Sequence, residues 1–361
     1  MDFTKRLTLG ACSLSLLCFI GCGTIGPHSV GRDRFDYTGA IGDSWKEQML
    51  LNTVKMRYGD TPVFLDVASV ISQYQVATQV NLGFTWVHPV TSVATNSQSV
   101  VGTAQYVERP TITYLPLSGE KFARSLMKPL PPPAILSLIQ GGYPIDLVLR
   151  ICVHSINGVR NRFGGSARAH HADPEFYPLL ERLRKIQESG AIGLRVQKTN
   201  EMEGVVMSFR GKVDPAVEED IIFVRKTLGL DPAGEIRVAY GSIAKDDKEI
   251  AILSKSMLEI IIDLGSYIEV PATHIEEKRV NPTMSDETVQ GISVVPLIKI
   301  YSSTEKPADA FIAVPYRNHW FWIDDRDFRS KTLFSFLMFI FSLTETGGAK
   351  EGAPVITIPT G

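Results

Sequence analysis

The chain has 361 residues, 44% hydrophobic and 21% charged, which suits one large packed domain or two ordinary ones and argues against disorder over most of its length. Its formal net charge is −2. Removing residues 1–21 takes away Lys5, Arg6 and Asp2, so that 37 basic and 39 acidic side chains become 35 and 38, a net −3; no basic stripe argues for nucleic acid and no polybasic run for an acidic membrane surface.

Lys5 and Arg6 precede an uncharged apolar run, Leu7 to Ile20. That is the charged start and short apolar core of a secretory signal. Its 14 residues fall short of the roughly 20 that a bilayer-spanning helix needs. Phe19-Ile20-Gly21-Cys22 follows, a small residue before a cysteine. It resembles the lipobox of bacterial lipoproteins, which implies cleavage before Cys22 and acylation of its thiol and new amine. Stable attachment requires at least two acyl chains, and Cys22 so modified supplies them. Gly23 rather than Asp after the cysteine points to the outer membrane, facing the periplasm. Three of the four cysteines lie in the first 22 residues; Cys152 sits in an apolar run and is read as a core residue.

Residues 22–41 are Gly-rich and polar and read as a flexible tether. A helix is predicted from Asp43 or Ser44 to Gly59, with Trp45, Met49, Leu50, Val54 and Met56 on its apolar stripe. Strands are predicted at 63–70, 76–87 and 99–115, rich in Val, Thr and Tyr. A short helix capped by Ser118 reaches Met127, and a second follows the Pro131-Pro132-Pro133 run over 134–140. Residues 144–157 read as a buried strand. The stretch 161–173 breaks all periodicity and marks a loop or linker between an N-terminal subdomain, 42–160, and a C-terminal one, 174–346. Asp173-Pro174 and Asp214-Pro215 each open a helix, the first with Phe176, Leu179, Leu180, Leu183 and Ile186 on one face. Strands at 193–197, 204–210 and 235–240, a helix at 250–264, strands at 292–301, 310–316 and 320–323, and a helix at 328–344 complete the body. Residues 347–361 form a tail in which 354–358 reads as an edge strand. Mixed helices and consecutive strands predict an α+β fold, with largely antiparallel sheets and packed helices.

Lys331–Leu343 is the most apolar stretch after the signal; at about 18 Å as a helix it is too short for a bilayer and reads as core. Just before it, strand alternation sets Trp320 and Trp322 on one side and His319, Phe321 and Ile323 on the other. Trp320, Trp322, Asp324 and Asp325 are the candidate binding residues, the tryptophans for stacking and the carboxylates for a cation. The competing reading is a buried strand followed by helix capping and ion pairing with Arg326 and Arg329. Adjacent His170 and His171 point apart, and Asp173 is wanted as a cap, so no metal site is expected. Ser242-x-x-Lys245 and Ser303-x-x-Lys306 lack the companion elements of penicillin-recognising enzymes. Nucleophile-elbow, phosphate-loop, zincin and Cys-x-x-Cys patterns are absent, and no cofactor is expected.

Arg32–Tyr37, Ser44–Val67, Arg109–Phe122, Ser155–Asn161 and Trp320–Leu343 together resemble a family of uncharacterised bacterial envelope lipoproteins. The resemblance implies lipidation at a cysteine and an exported globular body, and supplies no activity. The leading expectation is a lipid-anchored envelope protein with a non-enzymatic scaffolding or binding role. It would contact membrane lipid through Cys22 and an envelope protein partner, but no nucleic acid. The alternative is a periplasmic hydrolase of an envelope polymer, its catalytic groups assembled only by folding.

Overall fold

In the computed structural model, residues 27–71, 74–85, 97–108, 110–165, 169–199, 202–284, 287–289, 292–344 and 356–359 are described. The chain separates into two units, Met1–Ser44 with Leu65–Leu117 and Lys350–Gly361, and Trp45–Phe64 with Ser118–Ala349. The break expected at 161–173 falls inside the second unit, where Asn161, Arg162 and Phe163 are buried.

Helix α1 (Pro27–Arg57) covers much of the stretch read as a tether. Met49 and Leu50 are buried, and Val54 is buried about one turn further on. Once those turns are fixed, extension toward the N-terminus gains one hydrogen bond per residue ordered, and Pro27 is tolerated in the first turn. Gly59, at φ 71°, ends the helix in the left-handed conformation that glycine adopts without strain. In the first unit, β2 (Tyr74–Thr85) and β3 (Ser97–Glu108) pair antiparallel over their full lengths, after β1 (Phe64–Ile71). Pro110 lacks an N–H and divides the strand expected at 99–115 into β3 and β4 (Thr111–Leu117).

The second unit continues with α2 (Glu120–Met127), α3 (Pro132–Gln140) and α4 (Ile145–Cys152), the last replacing most of the strand expected at 144–157. Ile145, Val148, Leu149 and Cys152 recur at helical spacing and are all buried. Only β5 (Val153–Ile156) keeps the strand, followed by β6 (Val159–Arg160). Then come α5 (Phe176–Glu188), β7 (Ile192–Thr199), β8 (Met202–Phe209), α6 (Pro215–Thr227), β9 (Ile236–Tyr240) and β10 (Glu249–Ser254). Helix α7 (Met257–Gly265) takes only the second half of the helix expected at 250–264. The strands form one sheet in the order β6-β5-β10-β9-β8-β7, antiparallel except for β9 with β10. On one face Ile156, Val238, Ile250 and Ile252 meet Ile139, Leu149 and Leu183 of the helices. On the other, Ala239 and Leu253 are half-buried and Arg237 is exposed.

The parallel β9–β10 pair constrains its connection. Parallel neighbours ordinarily need a crossover of a dozen or more residues; here residues 241–248 return the chain from Tyr240 to Glu249 without a helix. This short strap lies over the sheet, with Gly241 against the Ala251 side chain. Beyond α8 (Ala272–Glu276), β11 (Glu287–Val289) and β12 (Ile292–Val294) form a small ladder. β13 (Tyr301–Ser303) and β14 (Ala310–Tyr316) flank β15 (His319–Asp324) in a second antiparallel sheet. Helix α9 (Phe328–Thr344) buries Leu333, Phe334, Phe336, Leu337, Ile340 and Phe341, the core role read from its sequence. In the first unit, β16 (Ile356–Pro359) pairs antiparallel with β4 at the edge of the β1-β4-β16 sheet, as expected. The protein is therefore an α+β fold of mostly antiparallel sheets.

Candidate functional site

The sequence-predicted candidates occupy the β15 strand and its exit. Phe321 and Ile323 are fully buried, and Trp320 and Trp322 are half-buried on the opposite side. Tyr301 lies tilted against Trp322 at 5.0 Å and Lys306 sits over Trp320. The Trp322 indole N–H is buried without an acceptor among the described residues. Asp324 accepts from the Arg326 backbone N–H at 2.8 Å, and Asp325 pairs with Lys331 at 2.7 Å. Asp327 caps α9 through the Ser330 N–H and hydroxyl. The carboxylates thus serve capping and ion pairing, but the pairing partner is Lys331 rather than the expected Arg326 and Arg329, and Arg326 pairs with Asp309 instead; no group of three metal-ligating side chains gathers among the described residues. Cys22 lies outside the described residues.

A different place in the second unit has the shape of a site. A cleft of about 720 Å³ opens where β5, β10 and the 241–248 strap meet the start of α7, within the roughly 300–1,000 Å³ typical of ligand sites. Met127, Tyr240 and Ile243 stand on its rim and are 56%, 54% and 80% exposed. Leu253, Leu258 and Phe163 add apolar wall, while His154, Ser256 and Glu259 contribute the polar part.

The polar groups are held by α7 itself. Ser256 and Glu259 form a reciprocal capping box, in which the Glu259 N–H donates to Ser256 Oγ at 3.3 Å and the Ser256 N–H to Glu259 Oε2 at 2.8 Å. The Ser256 hydroxyl donates to the same oxygen at 2.9 Å. Glu259 Oε1 is left for His154 Nε2, 3.3 Å away. Burial alone would raise the Glu259 carboxyl; the Ser256 donors and His154 outweigh it and hold the group below its ordinary range. Burial, then the nearby Lys255 ammonium, lowers His154 against the opposing pull of Glu259. At neutral pH the cleft wall therefore carries a carboxylate beside a neutral imidazole.

Beneath the cleft lies a buried charge cluster. Lys255 is fully buried, with Nζ 2.5 Å from Asp263 Oδ2. Asp263 Oδ1 accepts from the Gly164 N–H at 2.7 Å, with Arg162 Nη1 3.8 Å away. Arg162 also stacks over Tyr267 at 4.2 Å. These contacts hold residues 161–165 inside the unit and support Phe163 on the cleft wall. Cys152, also fully buried, has its thiol pushed up to about 12 by desolvation, which makes it an inert core group as expected. Asp173, expected as a helix cap, instead accepts from the Arg160 N–H and pairs with its guanidinium at 2.9 Å, so α5 has no side-chain cap.

The sequence reading missed this cleft. Its residues come from Met127 to Glu259 and share no spacing; the one local signal was Ser256-x-x-Glu259, a capping box. No family model, curated protein or solved structure matches the chain.

Proposed function

We propose that this protein is a lipid-anchored component of the bacterial cell envelope that binds another envelope component in the cleft over its central sheet, without transforming it. The observation that carries the binding role is the convergence of three exposed large apolar side chains, Met127, Tyr240 and Ile243, on one cleft of ligand size. Apolar side chains scattered singly over a surface need no explanation, whereas a group rimming a concavity marks an interaction site. Three of the polar side chains inside have protein partners: Ser254 donates to the Leu130 carbonyl at 2.5 Å, and Ser256 and Glu259 bond to one another. That arrangement favours holding a ligand over activating a nucleophile.

The hydrolase reading has one observation in its favour, the His154–Glu259 contact. A general base also needs a nucleophile within reach. Among the described residues no hydroxyl or thiol bonds to His154, and the second oxygen of Glu259 is taken by the helix cap. The test is photocrosslinking in intact cells from a photoreactive side chain placed at Ile243, with the same group at exposed Ile222 as a control. A discrete adduct from position 243, absent from 222, is expected. Identical adduct patterns at both positions, or turnover of an envelope polymer abolished by His154→Ala, would defeat the binding reading.

A further inference from the structure

The charges around the cleft are unequal in a way that selects an occupant. Its cation, Arg160, is held bidentately by Asp173, through Nε at 3.2 Å and Nη2 at 2.9 Å. Its anion, Glu259, has no lysine or arginine partner among the described residues; its contacts are the neutral His154 ring and the Ser256 donors. The carboxylate is 38% exposed and faces the same cleft as the apolar rim. The exposed Glu259 carboxylate beside Leu253, Leu258 and Phe163 offers an acceptor to a cationic head, meets an anionic head with like charge and gives a neutral chain no preferred end.

We propose that the cleft takes an amine-headed amphiphile, an aminolipid whose chain lies along Met127, Tyr240 and Ile243 and whose ammonium meets Glu259. This rests on the binding reading above and names the ligand class. An ammonium donates to a carboxylate in a charge-assisted bond, about twice as strong as a neutral one. The cleft volume suits one small ligand, and a membrane tether would hold the body beside lipid headgroups.

Glu259→Gln separates charge from architecture, because glutamine completes a capping box as glutamate does. The mature chain is titrated, below micelle concentrations, with dodecylammonium, dodecanol, decanoate and a capped leucine-lysine-leucine tripeptide, in the wild type, Glu259→Gln and Ile243→Glu. Dodecylammonium is expected to bind about tenfold or more tightly than dodecanol, a preference of about 1.4 kcal/mol or more. Glu259→Gln should erase that preference, while Ile243→Glu weakens dodecanol binding. Raised salt should weaken dodecylammonium alone in the wild type, a readout that does not depend on a variant folding. Equal affinity for dodecylammonium, dodecanol and decanoate overturns the ammonium assignment while leaving the binding reading in place. Glu259-dependent capture of the tripeptide without dodecylammonium overturns the lipid source. If no probe binds the wild type, or none responds to Ile243→Glu, the binding reading falls with it.

Discussion

Lys255 is fully buried, and its ammonium is satisfied chiefly by Asp263, with the Arg150 carbonyl 3.4 Å away. Removing one partner of a buried pair strands the other charge, at a cost of about 3–5 kcal/mol. Lys255→Met should lose that much by urea unfolding. The double variant with Asp263→Leu should lose less than the sum of the two singles, because the Lys255–Asp263 pairing is lost only once, even though Arg162 and the Gly164 N–H then lose their carboxylate; a double loss equal to the sum of the singles would exclude coupling. The cleft residues contribute to the acid limb of stability. The His154 pKa in the fold lies below the ordinary 6.5, so as the pH falls through 6.5 the unfolded chain takes up the proton first and stability declines. Glu259, held below 4.5, adds stability that is present above 4.5 and lost as the pH falls through its folded value. The urea midpoint should therefore drop between pH 7 and 5, and more steeply below 4.5, with the first drop reduced in His154→Gln. A wild-type midpoint that rises on acidification from pH 7 would contradict the environment described for His154.

Helix α7 and the segment packed on it show how much of the elements was legible. An alanine Cβ at Gly164 would sit 1.9 Å from Ser266 Oγ, and Ser266 is buried at the end of α7. Gly164→Ala should destabilise by about 1–3 kcal/mol, the usual range for overpacking a core, seen as a lower urea midpoint at unchanged slope. A midpoint equal to wild type would mean that residues 161–165 are not packed against α7. In the sequence this stretch reads as a linker because its glycines break the periodicity; those glycines in fact permit close approach to a neighbouring helix. Helix α5 was readable, since Phe176, Leu179, Leu180, Leu183 and Ile186 are apolar at one period only and all are buried. The 144–157 and 250–264 runs were not separable by hydrophobicity, because a short apolar run fits a buried strand and a buried helix alike. Ser256-x-x-Glu259 marked the start of α7, and with it Ile250–Leu253 would have been left as strand. The cleft was illegible for a different reason: its walls are joined by sheet order and by the 241–248 strap, neither of which a local pattern encodes.

At the scale of the whole molecule, the lipid-anchored reading proposed above puts address and fold on separate parts of the chain. No helix among the described residues is long and apolar enough to cross a membrane, and the near-neutral body offers no polybasic attachment. On the lipid-anchored reading proposed above, Cys22 is the residue that carries the attachment. The other cysteine of a chain beginning there, Cys152, is free, fully buried and inert, so it does not compete for the Cys22 thiol. Each buried methylene contributes about 0.8 kcal/mol, and one acyl chain gives only marginal, reversible binding. Loss of the thiol-linked chains should therefore release the protein rather than loosen it. Cys22→Ser is expected to abolish acyl labelling, shift the mass of the mature N-terminus and move the protein from the membrane pellet to the periplasmic extract. A serine variant that sediments with membranes as the parent does, with neither carrying acyl label, would show that something other than Cys22 holds the protein there, and the aminolipid proposal would lose the proximity to headgroups on which it partly depends.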